Sequence, residues 1–216
     1  MTYADRLARF SDADLYVVIT ESFCGGRSAL DVLDAVLDAG VRLIQLREKN
    51  LDDGELCRRA ARFRERTAQH EALLIIDDRV DIALAVDADG VHLGQSDLPV
   101  SAACAIAPDL LIGASTHNLE EALVAQDAGA SYVNIGPIFS TQTKNVAGGA
   151  IGPEAIDAIL PHLHVPWTTM GGIKLQNIGQ VLERGARHVA VVTAVTEAGD
   201  VRAAAAALRE EINRTR

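Results

Sequence analysis

Several short runs carry residue types suited to holding a phosphorylated molecule. Gln45-Leu46-Arg47-Glu48-Lys49 sets a carboxamide and two cations at every second position. In an extended strand that spacing puts Gln45, Arg47 and Lys49 on one side, with Val41 and Leu43 before them. Arginine offers a planar fork to phosphate oxygens, and lysine a point charge. The same charges also suit a solvated loop with loose ion pairs, and for Lys49 alone that is the simpler reading. Further on come Asp77-Asp78-Arg79, then His92, Gln95 and Asp97. Two carboxylates from neighbouring strand ends can share Mg²⁺, which takes one or two protein carboxylates and completes its shell with phosphate oxygens and water. Taken singly, Asp77 or Asp78 would also serve to cap a helix before Val80, and Asp97 one entered at Pro99.

Ser115 and His117 stand just before Asn118, where turn hydrogen bonding is the plain alternative to chemistry. Gly136-Pro137-Ile138-Phe139-Ser140-Thr141-Gln142-Thr143-Lys144 places hydroxyls and a lysine in a long loop, suited to phosphate capture or to a polar lid. Gly171-Gly172 and Val192-Thr193 would offer backbone N–H groups to a phosphate, or simply make tight turns. Together these runs point to two anionic sites. One has cations and a metal; the other has backbone donors.

The elements that must position them follow from a recurring phrase. Asp38-Ala39-Gly40, Asp87-Ala88-Asp89-Gly90, Asp127-Ala128-Gly129 and Arg184-Gly185-Ala186 each precede a short run rich in β-branched or aliphatic residues. A glycine that closes a helix, followed by an apolar run, predicts a helix leading into a strand buried on both faces. Further strands are expected at Leu15–Thr20, Leu73–Ile76, Leu110–Gly113 and Val165–Met170. Asn118-Leu119-Glu120-Glu121 reads as a capping box, Pro153 as a helix start and Ala203–Ala207 as a helix. About eight strands alternating with about eight helices require a parallel sheet. No GxGxxG follows the first strand, so a closed (β/α)8 TIM barrel is preferred to an open dinucleotide-binding sheet. One domain spanning 1–216, with its core at about 15–212, is expected at this length. In such a barrel the chemistry sits at the C-terminal ends of the strands, where the runs above fall, and a phosphate site after strands seven and eight is common.

Composition narrows the partners. The chain has 216 residues, 49% hydrophobic and 23% charged, with a formal net charge of −10. A basic nucleic-acid footprint is absent, so anion binding must be local. No apolar run reaches membrane-spanning length, and Met1 to Asp14 lacks a signal-peptide core. Three cysteines without ligand spacing, Cys24, Cys57 and Cys104, suit reduced thiols and a cytoplasmic location. Homo-oligomerisation stays open.

The assembled motifs resemble the thiamine-phosphate synthase family over nearly the whole chain, from Leu15-Tyr16-Val17 to the last helix. The resemblance is carried by Gln45–Lys49, Asp78–Ala85, Asp89–Pro99, Gly113–His117, Gly136–Phe139 with Thr141, Thr143 and Lys144, and Gly171-Gly172-Ile173. It implies a TIM-type barrel that joins 4-amino-5-hydroxymethyl-2-methylpyrimidine diphosphate to a thiazole phosphate, releasing pyrophosphate. It also implies a role for each matching position. Gln45, Arg47, Lys49, Ser115 and Lys144 would hold the pyrimidine diphosphate, and Asp78 and Asp97 the Mg²⁺. Thr141, Thr143, Gly172, Val192 and Thr193 would take the thiazole phosphate, with Gly171 beside them. Asp77 stands where the family usually has asparagine, so an added charge is expected to weaken substrate binding or strengthen metal binding. Thr193 for the more usual serine is a mild change. Trp167-Thr168-Thr169-Met170 is more polar and bulky than the usual seventh strand. A related thiazole tautomerase, with His117 as acid or base, or a non-catalytic phosphate-ligand-binding protein, are the competing expectations.

Overall fold

A computed structural model describes residues 1–143 and 148–215. Eight parallel strands close on themselves in chain order, β1 pairing with both β2 and β8. They are β1 (Leu15–Ile19), β2 (Leu43–Leu46), β3 (Leu73–Asp77), β4 (Gly90–Leu93), β5 (Leu111–Thr116), β6 (Tyr132–Ile135), β7 (Trp167–Met170) and β8 (Val189–Val191). Helices lie between them: α1 (Tyr3–Asp12) before the first strand, then α2 (Ala29–Asp38), α3 (Asp53–Gln69), α4 (Val80–Ala85), α5 (Val100–Ile106), α6 (Leu119–Asp127), α7 (Glu154–Ile159), α8 (Gly179–Leu182), α9 (Thr193–Thr196) and α10 (Val201–Arg214). The expected (β/α)8 barrel is therefore the fold. Among the described residues no helix is long and apolar enough to cross a membrane.

Strand alternation divides the core into two shells. In β2, Ile44 and Leu46 pack outward against the helices, while Leu43 packs inside with Tyr16, Leu73, Ile75, Leu111, Tyr132 and Ala190. Val41, expected on the inner side with Leu43, lies before β2 and packs in the outer shell instead. The ring of strands is stoppered from below by α1. Its Phe10 is fully buried and stacks on Tyr132 at a 4.5 Å centroid distance. Thr2 and Asp5 close a reciprocal capping box at the start of this helix, which fixes its entry. Arg6, also buried, donates to the carbonyls of Met1 and Asp109 and faces Asp89 at 3.5 Å.

The helix-to-strand phrase behaves as expected at Gly40, Gly129 and Gly185, all at positive φ beyond a helix end. It differs at Asp87-Ala88-Asp89-Gly90. There Asp87 takes the left-handed conformation at φ 53°, and Gly90 is already the first residue of β4. A Cβ at Gly90 would lie 2.5 Å from the Leu111 carbonyl oxygen, so close strand approach, not helix closure, requires this glycine. Asn118 caps α6 by accepting from Glu121 N–H, but the Glu121 carboxylate accepts from His117 N–H at 2.9 Å, one residue beyond a true capping box.

Candidate active site

The first half of the site hangs on the ends of β2, β3 and β4. Alternation continues past β2: Glu48 holds Arg59 at 2.8 Å, and Arg47 and Lys49 turn to Asp77 at the end of β3. Lys49 Nζ lies 2.7 Å from Asp77 Oδ2 and also donates to Asp78 Oδ2, while Arg47 Nε is 3.5 Å from Asp77. Burial works against the Lys49 ammonium, but Asp77 and Asp78 outweigh it and hold its pKa above the ordinary lysine value. Asp77 is thus engaged by both cations. Neither Asp77 nor Asp78 caps α4, whose N-cap is Arg79 without a side-chain hydrogen bond. Asp78 instead adopts φ 60°, a conformation tolerated by aspartate at some cost, with its N–H bonded to the His92 carbonyl at 2.8 Å.

Asp97 does not cap α5 either; its Oδ2 accepts from Gly94 N–H at 2.6 Å. Burial first, and the Asp78 carboxyl second, push the Asp97 carboxyl above the ordinary range. Two cations therefore face three carboxylates, and the cluster is net negative where a diphosphate is expected. A divalent cation between Asp78 and Asp97 would relieve both tensions. Among the described residues no three His, Cys, Asp or Glu side chains gather as a metal group. A carboxylate pair nevertheless suits Mg²⁺, which completes its shell with phosphate oxygens and water, and suits a tetrahedral zinc centre poorly.

The floor between the strands is polar. Gln45 Nε2 donates to the Tyr16 hydroxyl at 2.7 Å, and the Tyr16 and Tyr132 hydroxyls are 3.1 Å apart. His92 joins Tyr132 through Nδ1 at 3.1 Å and Ser115 Oγ through Nε2 at 2.9 Å. Ser115, expected just past β5, is within it, opposite Asn134. His117 is held at Nδ1 by Glu121 Oε2, 2.6 Å away.

The second half is built by β6, β7 and β8. Loop residues Ile138 and Phe139 donate to the carbonyls of Met170 and Gly171 at 2.9 Å each, and Gly152 N–H returns to Ile138 at 3.1 Å. This clamp lays the loop directly on the Gly171-Gly172 turn. Both glycines have positive φ, and a Cβ on either would come within 2.5 Å of loop atoms. Thr141 and Thr143 hydroxyls are 3.0 Å apart and line one cavity with Gly171, Gly172, Val192 and Thr193. The mouth cavity, lined by Arg47, His92, Ser115, Asn134, Thr141 and Gly171, joins the two halves. Arg47, Ser115, Thr141, Thr143 and Gly171 line that cavity, which shares Arg47 and Thr143 with a cavity lined by Lys49, while Asp97 lines a separate one with Gly94 and Gln95. Lys144 lies outside the described residues.

A family model described as thiamine monophosphate synthase matches residues 15–195. The chain belongs to this family. It is 43% identical over 209 residues to a thiamine-phosphate synthase of Chloroflexus aurantiacus, covering 97% of each chain. It is 44% identical over 194 residues to one of Methanospirillum hungatei, covering 89% of this chain and 94% of that one. A solved structure of thiamine phosphate pyrophosphorylase from Pyrococcus furiosus superposes with a TM-score of 0.89 at 38% identity, covering 96% and 98%.

Within this member of the thiamine monophosphate synthase family, the residues that sequence reasoning passed over are those reaching across the barrel. Tyr16 and Tyr132 carry the floor beside the anticipated His92, and Asn134 lines the mouth. The polar seventh strand also has an explanation. Thr168 Oγ1 donates to Asn134 Oδ1 at 2.8 Å and Thr169 Oγ1 to the Ile135 carbonyl at 3.2 Å, so both buried hydroxyls are satisfied. The signal was available: Tyr16, Gln45 and Tyr132 are polar groups at inward positions of runs that are otherwise apolar.

Proposed function

We propose that this chain is a thiamine-phosphate synthase, one domain acting in the cytoplasm on two small-molecule substrates. It couples 4-amino-5-hydroxymethyl-2-methylpyrimidine diphosphate with a thiazole phosphate, giving thiamine phosphate and pyrophosphate. The observation that carries the reading is the junction of a cation–carboxylate cluster with a glycine-and-threonine cavity at one barrel mouth.

Arg47, Lys49, Ser115 and Lys144 are assigned to the diphosphate, whose charge grows as the C–O bond breaks; fixed donors in a partly desolvated site stabilise that growth. Asp78 and Asp97 would hold Mg²⁺, which supplies added charge stabilisation for the departing pyrophosphate. Gln45 lies on the floor where the pyrimidine ring would rest; when pyrophosphate leaves first, that ring would stabilise the resulting carbocation. Thr141, Thr143, Gly172, Val192 and Thr193 are assigned to the thiazole phosphate, the last three partly through backbone N–H groups. Anchoring both phosphates brings the thiazole nitrogen to the carbocation without needing a strong base. Asp77 sits between Arg47 and Lys49, tempering their charge and holding them in place.

Incubating the protein with both substrates and Mg²⁺ should release pyrophosphate and form thiamine phosphate in equal amounts. Tautomerised thiazole phosphate with no pyrophosphate would overturn the synthase reading.

A further inference from the structure

The floor of the barrel holds five polar groups in a single file: Gln45, Tyr16, Tyr132, His92 and Ser115. Each hydroxyl carries one hydrogen, so each can donate only once. The direction of the whole file is therefore decided at its first member. Gln45 donates its amide N–H to the Tyr16 oxygen. Among the described residues the other partner of the Tyr16 hydroxyl is Tyr132, 3.1 Å away, so Tyr16 gives its hydrogen there. Tyr132, having accepted, gives its own to His92 Nδ1. An Nδ1 that accepts belongs to the neutral imidazole protonated at Nε2. Nε2 then donates to Ser115 Oγ at 2.9 Å, which frees the serine hydrogen for the mouth.

We infer that His92 is a positioning residue: the file running from Gln45 fixes its Nε2–H tautomer, and this tautomer turns the Ser115 hydroxyl hydrogen outward, toward an anionic ligand. Reversing the file would send the Ser115 hydrogen back to His92 and present only lone pairs to that ligand. Burial raises the pKa of both tyrosines, so both keep the hydrogen the file requires. That the ligand is the diphosphate of the pyrimidine substrate rests on the synthase reading; the direction of the file does not.

Two measurements separate these statements. Long-range proton–nitrogen correlation NMR on histidine-labelled protein without substrates, with His92 assigned by loss of its signal in His92→Asn, reads the tautomer directly. Nε2–H is expected. The Nδ1–H form, or an even mixture, would overturn the inference whatever the enzyme's substrates. Gln45→Glu, read at a pH high enough to ionise its buried carboxyl so that it can only accept, should convert His92 to Nδ1–H; no change once it is ionised would overturn the inference too. Kinetics then tests the link to Ser115. Tyr132→Phe, which keeps the ring, should raise KM for the pyrimidine diphosphate about tenfold, the scale of one hydrogen bond to a charged group, and leave KM for the thiazole phosphate unchanged. On a Ser115→Ala background the same change should cost nothing more, and additive losses would refute action through Ser115. A confirmed Nε2–H tautomer in a protein that releases no pyrophosphate would keep the file and discard the substrate.

Discussion

Gly113 offers a sharp test of how tightly the barrel floor is packed. A Cβ there would stand 2.1 Å from Tyr132 Cζ, 2.4 Å from its hydroxyl and 2.6 Å from Cε1. Ordinary carbon contacts lie at about 3.5–4.0 Å, so Gly113→Ala requires the ring to retreat by roughly 1.5 Å. It has little room, because Phe10 packs against it at 4.5 Å and Tyr132 is fully buried. Overpacking of this kind costs about 1–3 kcal/mol. Displacing the hydroxyl from Tyr16 and His92 adds about 0.5–1.5 kcal/mol for each of two hydrogen bonds. The sum is about 2–6 kcal/mol, and about 4 is expected. With a urea slope of about 2 kcal/mol/M the unfolding midpoint should fall by about 2 M. Trp167, the one tryptophan, reports the transition by fluorescence beside far-ultraviolet circular dichroism. A midpoint within about 0.3 M of the parent would refute the packing argument.

Three further outcomes follow from the same geometry. Phe10→Ala should lower stability by about 3–5 kcal/mol and leave both KM values unchanged, as judged by urea titration and steady-state assay; a changed KM would mean that the plug shapes the mouth. Asp97→Asn should abolish Mg²⁺-dependent turnover and also stabilise the metal-free protein. A carboxyl whose pKa is raised by folding costs stability as pH climbs from its unfolded to its folded value, so the gain should be full above that window and vanish below it, by thermal melts across pH. Asp77→Asn releases Arg47 and Lys49 and should lower KM for the diphosphate severalfold at low salt, with the advantage fading at high salt; an unchanged KM at low salt would show that the cations do not reach the substrate.

The barrel was legible because its signals are local. Strand runs, helix-closing glycines and the run of charges after β2 each lie within a few residues of one another. Where a local signal has two meanings the structure departed from the simpler one. Asp78 and Asp97 both carry the sequence pattern of a helix cap, yet neither caps; a left-handed Asp78 turns to Lys49, and Asp97 folds back on the Gly94 N–H. Asp87 replaces glycine at a left-handed position because aspartate tolerates that conformation. The polar floor residues could be seen in their runs, but which of them meet was illegible for a different reason. Tyr16 and Tyr132 meet across the barrel at 116 residues' separation, and their meeting depends on strand stagger around the closed sheet. No spacing along the chain encodes that stagger. The plug helix α1 was read as a mixed-charge segment because its apolar side is short, with Phe10 doing most of the burying.

The plug has a kinetic consequence. Phe10 seals the lower end beneath Tyr132, so ligands enter and leave through the mouth above Ser115 and Asn134. A cul-de-sac imposes queueing. If the pyrimidine substrate rests above Ser115 and Asn134 as proposed, it should arrive before whatever settles at the rim by Gly172, and departures should run in reverse. Dead-end and product inhibition patterns, usually read as properties of affinity, would here report depth.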